Sequence, residues 1–119
     1  HLSIRRQRQM CIRDRPKQTC SLETAWLCYP LCLHEDAGFS RAQFQEYIDA
    51  SGVDTRTVWT GNVTRQPMLK KAEYRTPKSG LPNADIVMER GLVLPMNHSL
   101  TDSDILFVTE QIERFLKTL

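Results

Sequence analysis

The side chains able to do chemistry gather in two places along this chain. The first is Cys28-x3-Cys32-x-His34. Positions 28, 32 and 34 share parity, so on a strand they line one face. Structural zinc sites pair a C-x2–4-C unit with a second ligand pair in tetrahedral geometry. No second pair follows here, and three ligands spaced along one strand do not converge on one ion. A Cys–His nucleophile would need a cysteine activated by its surroundings, and nothing in the sequence marks one. The triplet reads as thiols packed in a sheet. The second place is Gly61–Pro67, GNVTRQP. Glycine frees the backbone, Asn62 and Gln66 bring amide donors and acceptors, and Arg65 brings a planar fork suited to phosphate or carboxylate. Lys70, Lys71, Arg75 and Lys78 follow in the same stretch. Such a loop suits a polar, anionic ligand, and it equally suits an ordinary solvated surface.

The elements that must position these residues can be read from periodicity and punctuation. Residues 25–33, AWLCYPLCL, form an apolar run of strand length. Pro30 within it lacks the ladder N–H and predicts an edge or a bulge. Ser40 and Gln43 form a capping box, Phe39 is placed to staple onto Phe44, and Gly52 supplies a stop, which predicts a helix over 41–50. The β-branched residues of 53–59 predict a second strand. Residues 60–82 read as a long loop, the kind that is functional or disordered in a compact domain. Asn83 is a candidate cap for a short helix over 84–90, closed by Gly91, and 92–96 is a third strand. Thr101 is placed to cap a last helix, with Asp102 and Asp104 in its first turn. Its apolar stripe is Ile105, Val108, Ile112, Phe115 and Leu116. The expected fold is an α/β unit, a small three-stranded sheet backed by helices.

Bulk properties narrow the classes. A length of 119 residues fits one domain. The formal charge of +2 is unevenly spread: five arginines face one acid in residues 1–15, and the remainder is slightly acidic. A nucleic-acid or other polyanion-binding role would therefore rest on a tail and one loop. No stretch reaches the length of a membrane span, and no signal peptide is visible. The four cysteines then read as reduced thiols of a cytoplasmic protein. Residues 1–15 have no helical or strand period. They resemble a conceptual translation of sequencing-adapter DNA, which divides the chain into a foreign segment, 1–15, and a domain, 16–119.

Three runs carry a family resemblance: ETAWLCYPL, FSRAQFQEYIDASGVDTRTVWTGNVTRQPMLK and LPNADIVMERGLVLPMNHSLTDSDILFVTEQIERFL. Together they resemble the C-terminal end of the DegT/DnrJ/EryC1/StrS family of nucleotide-sugar aminotransferases and related dehydrases, over residues 16–119. The resemblance implies the small C-terminal domain of an aspartate-aminotransferase fold (fold-type I) and pyridoxal 5'-phosphate as cofactor, bound mainly by an upstream domain. It also implies a nucleotide-linked keto-sugar and an amino donor such as glutamate as partners, and a homodimer at full length, with neither nucleic acid nor membrane. No lysine here matches the family's aldimine-lysine motif, so no catalytic residue is assigned and the chain alone is expected to be inactive. The TGN-x-TRQP form resembles the branch of lipopolysaccharide-biosynthesis CDP-sugar 3-dehydrases. By the same resemblance Asn62 and Arg65 are expected to contact the substrate or its phosphates. Arg56 and Trp59, in the same segment, and His98, after the third strand, are further candidates, and His98 has a capping role before Thr101 as its alternative.

Overall fold

The computed structural model describes residues 12–14, by backbone alone, and 27–119. The arm before Ile12, Cys11, Lys17, Cys20 and the first expected strand residues, Ala25 and Trp26, lie outside the described residues. The strands are β1 (Ile12–Asp14), β2 (Cys28–Leu33), β3 (Arg56–Thr57) and β4 (Gly91–Pro95), and the helices are α1 (Arg41–Ala50), α2 (Pro82–Arg90) and α3 (Asp102–Leu116). The strands form one antiparallel sheet in the order β1-β2-β4-β3. Strands β2, β3 and β4 are the three expected from the sequence. β1 is a fourth, and it lies in the segment set apart as foreign. Its Ile12 faces Leu33 and its Asp14 faces Cys32, with a bulge between them.

One face of the sheet carries the core. Leu31 and Leu33 of β2 and Leu92 and Leu94 of β4 are buried, and they alternate with half-buried Cys32 and Val93 as strand pleating requires. Phe44 and Ile48 of α1 and Phe115 of α3 close over them, together with Val53. Phe39, Phe44 and Tyr47 all meet the ring of Phe115, with centroids 4.9, 5.2 and 5.2 Å away. Edge-to-face aromatic pairs of this kind add to the stabilisation from area burial.

Helix α1 forms as its signals predict. Ser40 caps it with a complete capping box to Gln43, and the Phe39 ring sits 6.0 Å from that of Phe44, a hydrophobic staple. Helix α3 likewise starts from a capping box, between Thr101 and Asp104. Its buried positions are Gln111 and Phe115, flanked by partly buried Val108, Ile112 and Leu116. Ile105, expected in the stripe, is 55 % exposed. Residues 102–107, the start of the helix, are all exposed.

The start of α2, the extent of β3 and the place of Pro30 differ from expectation. Helix α2 starts two residues earlier than Asn83 suggests: its N-cap is Leu81, without a side-chain cap, and Pro82 occupies the first turn. Proline's fixed φ suits that position and its missing N–H costs nothing there. The strand expected over 53–59 shrinks to Arg56–Thr57 because the preceding residues are tied elsewhere. Val53 N–H donates to Ile48 O, and Thr55 donates through N–H and Oγ1 to the Asp49 carboxylate at 2.9 and 2.8 Å. Pro30 is not on an edge strand. It lies opposite Val93 of β4, and β1 faces only Leu33 and Cys32, so the β1 side of Pro30 has no described ladder partner to lose.

Candidate functional site

The candidate site is the stretch between β3 and α2. A turn at 58–61 closes with Gly61 N–H donating to Val58 O at 3.0 Å. Gly61 has a φ of +64°, and a Cβ there would collide with the Met88 side chain and lie 2.7 Å from Met88 Cα. Glycine is thus required twice, for the left-handed backbone and for the contact with α2. Two short 3-10 turns follow, Val63–Arg65 and Pro67–Leu69. The far end of α2 is anchored from α1: Arg41 Nη1 donates to Met88 O at 2.7 Å and Gly91 O at 3.2 Å. This takes up carbonyls that a helix end leaves unpaired, and α2 runs directly into β4.

Within the loop, Asn62 is 2 % exposed. Its Oδ1 accepts from Thr64 N–H at 3.0 Å and Thr64 Oγ1 at 2.7 Å, and its Nδ2 donates to Asp85 Oδ1 at 2.8 Å. Arg65 donates from Nε to Asp85 Oδ1 and from Nη2 to Asp85 Oδ2, both at 3.1 Å. One carboxylate of α2 therefore holds both residues. The Arg65 hydrogen bonds, then that of Asn62, hold the Asp85 carboxyl below the usual range, and Asp85 in turn raises the pKa of Arg65. Gln66 Nε2 donates to Thr60 O at 2.9 Å and closes the loop on itself.

The five residues expected at the ligand are distributed unevenly. Asn62 and Arg65 meet on Asp85. Asn62 is buried with its amide engaged inside the chain, whereas Arg65 keeps most of its side chain in solvent. Arg56 is exposed and pairs with Asp54 at 3.0 Å, two residues away. Trp59 is 87 % exposed and has a φ of 43°, the left-handed region that bulky residues avoid. Its carbonyl accepts from Thr57 Oγ1 at 3.0 Å. His98 is exposed in a turn built by Asn97, whose Oδ1 accepts Ser99 N–H, and the helix cap after it belongs to Thr101. Asp85 was missed in the sequence. An acid in a helix's first turn suits the helix dipole, and that ordinary role gave no sign of its loop partners.

Elsewhere, Cys28 and Cys32 are half-buried on β2. Among the described residues no three His, Cys, Asp or Glu side chains form a metal-holding group. A groove of ≈ 500 Å³ between β2, β4 and the start of α3 is lined largely by apolar residues, including Tyr29, Leu94, Met96, Ile105 and Val108. Its one carboxylate, Asp104, is engaged in the α3 cap. Lys70, Lys71, Lys78 and Lys117 are all exposed, and none stands in an enclosed pocket that would shelter a cofactor imine. The lysines among the described residues therefore do not fit the sheltered position that a pyridoxal phosphate imine needs. No helix among them is long and apolar enough to cross a membrane.

The model of the DegT/DnrJ/EryC1/StrS aminotransferase family matches residues 5–113. The chain belongs to the DegT/DnrJ/EryC1/StrS aminotransferase family. The match begins before Pro16 and takes in β1. The chain is similar to a dTDP-4-dehydro-2,6-dideoxy-D-glucose 3-dehydratase of Saccharopolyspora spinosa, with 31 % identity over 85 % of this chain and 22 % of that protein. It is similar to the lipopolysaccharide biosynthesis protein RfbH of Salmonella typhimurium, with 27 % identity over 86 % of this chain and 23 % of that one. The fold matches a solved DegT/DnrJ/EryC1/StrS aminotransferase from Brucella abortus with a TM-score of 0.72 and 22 % identity, over 94 % of this chain and 29 % of that chain. The chain thus spans about a quarter of the length of these proteins.

Proposed function

We propose that this chain is the C-terminal part of a pyridoxal-phosphate-dependent nucleotide-sugar aminotransferase of deoxysugar or cell-surface polysaccharide biosynthesis, inactive by itself. The observation that carries the reading is the family match over residues 5–113 in a chain spanning about a quarter of its relatives. In this reading the cofactor is held by the preceding domain, where it acts as an electron sink for transamination. The loop of 58–66 meets the substrate. Arg65, supported by buried Asn62, offers its guanidinium to the nucleotide phosphates, and Trp59, Arg56 and His98 lie at or beyond the edge of that contact. The full-length protein works as a homodimer on a nucleotide-linked keto-sugar, with glutamate or a similar donor, in the cytoplasm. Titrating the 119-residue chain with pyridoxal phosphate tests the inactive-fragment reading. No stoichiometric absorbance shift is expected, and a saturable shift at one equivalent would refute it.

A second reading is a 3-dehydrase, favoured by the 31 % identity to a protein of that name and by the TGNVTRQP loop. Mass spectrometry of the product made by the full-length protein separates the two. An aminotransferase product gains nitrogen, whereas a dehydrase product loses a hydroxyl and gains none. The domain boundary at Pro16 is likewise a proposal. Deleting residues 1–15 leaves the melting temperature unchanged if they are foreign, and lowers it if the β1 pairing with Leu33 and Cys32 belongs to the fold.

A further inference from the structure

We propose that Asp85 is the positioning residue of this loop: it fixes the Arg65 guanidinium so that the edge turned away from α2 meets a ligand of the pyrophosphate class. The inference rests on reading 58–66 as the ligand-gripping loop. Asp85 grips Arg65 along one edge, through Nε and Nη2. A planar guanidinium held by two parallel bonds cannot rotate without breaking both. Arginine carries five N–H donors, so Nη1 and the outer N–H of Nη2 stay available, and no described residue takes them up. The carboxylate is braced in its turn. Buried Asn62 donates to it, and Thr64 fixes which way that amide faces.

The charge balance gives Asp85 a directional role. Paired with Asp85, Arg65 adds little net charge to attract an anion at a distance. Lys70, Lys71, Arg75 and Lys78 are exposed, and none forms an ion pair among the described residues. They supply the long-range attraction, and Arg65 supplies a donor of fixed direction. A free Arg65 would carry more field and less aim.

Calorimetric titration of the 119-residue chain with inorganic pyrophosphate, and separately with dTDP, tests the assignment. Asp85→Asn is expected to weaken binding about tenfold, and Asp85→Glu to recover part of that loss. Arg65→Lys, which has no fork to aim, should also weaken binding, and adding Asp85→Asn to it should cost nothing more. Unchanged or tighter binding by Asp85→Asn overturns the proposal, because the carboxylate then only neutralises Arg65. An equal further loss in the Arg65→Lys background overturns it too, because Asp85 then acts through general folding. Wild-type affinity in Arg65→Ala, or no binding of either probe by the wild type, would instead bring down the loop reading itself and the role of Asp85 with it.

Discussion

The sheet–helix core and the 58–66 loop are held by opposite means. In the core, Ile48 and Leu92 are fully buried and the ring of Phe115 is met by three other aromatic rings. Its stabilisation is apolar, additive over area and without direction. The loop buries one polar residue, Asn62, and is joined to α2 by hydrogen bonds to a single carboxylate and by the close approach of Gly61 to Met88. A core of the first kind loses stability in proportion to volume removed. A loop of the second kind fails when one donor or acceptor goes missing, and it can fail while the core stands.

The largest effect expected is in the core. Phe115→Ala removes the shared partner of Phe39, Phe44 and Tyr47 and should cost about 3–5 kcal/mol of unfolding free energy, read from urea denaturation. A cost under ~1 kcal/mol would mean that the aromatic cluster is not the centre of the core. Next comes Gly61→Ala, where a left-handed φ and the clash with Met88 combine. It should cost about 1–3 kcal/mol. Proteolysis should then cut within 60–82 before the rest of the chain. Uniform resistance in that segment would show that the loop stays docked on α2 without the close contact.

Asn62 sharpens the contrast, because two explanations of its burial predict different outcomes. Asn62→Ala leaves Thr64 without its acceptor and Asp85 without a donor, and should cost about 1–2 kcal/mol. Asn62→Asp keeps the acceptor for Thr64 but sets a second carboxylate against Asp85. If the residue were only a turn cap, Asn62→Asp would be neutral in denaturation. If the link to Asp85 matters, it destabilises as well, and the loss shrinks in an Asp85→Asn background.

The two regions also differed in how far the sequence revealed them. Helix α1 was legible because its signals are local: Ser40, Gln43 and Phe39 lie within five residues of their partners. The α3 start at Thr101 was legible for the same reason. The β2 and β4 runs showed as apolar stretches. The β3 strand was expected over 53–59, but its shortness was hidden because the link that replaces the first part of its ladder, Asp49 to Thr55, crosses from a helix into a loop. The loop pointed to Asn62 and Arg65 by residue type alone, but their shared partner is 23 and 20 residues away. Nothing in periodicity or capping ties Arg65 to Asp85. That pairing exists only once α2 has been set beside the loop by Gly61 and by Arg41 at its far end.

Acid should separate the regions most gently of all. The buried core residues are apolar, whereas Asp85 and Asp104 each hold a carboxyl below its ordinary value of 3.8, through hydrogen bonds from Arg65 and from Thr101 respectively. A carboxyl whose folded pKa is depressed adds stability above its unfolded pKa. That contribution fades as the pH falls from about 4 through the folded value. The wild-type melting temperature should therefore decline below about pH 4. Asp85→Asn should flatten the part of that slope that belongs to the loop, and Asp104→Asn the part that belongs to the α3 cap. The Arg65–Asp85 contribution to stability is modest because Arg65 is largely solvated and such pairs are weak in water. Salt is the discriminating variable: raising it screens the Arg65–Asp85 pair but leaves the neutral donors of Thr101 to Asp104 nearly untouched. An acid slope that Asp85→Asn leaves unchanged at low salt would mean that the loop's carboxylate contributes nothing to folding, and that its work is confined to aiming Arg65.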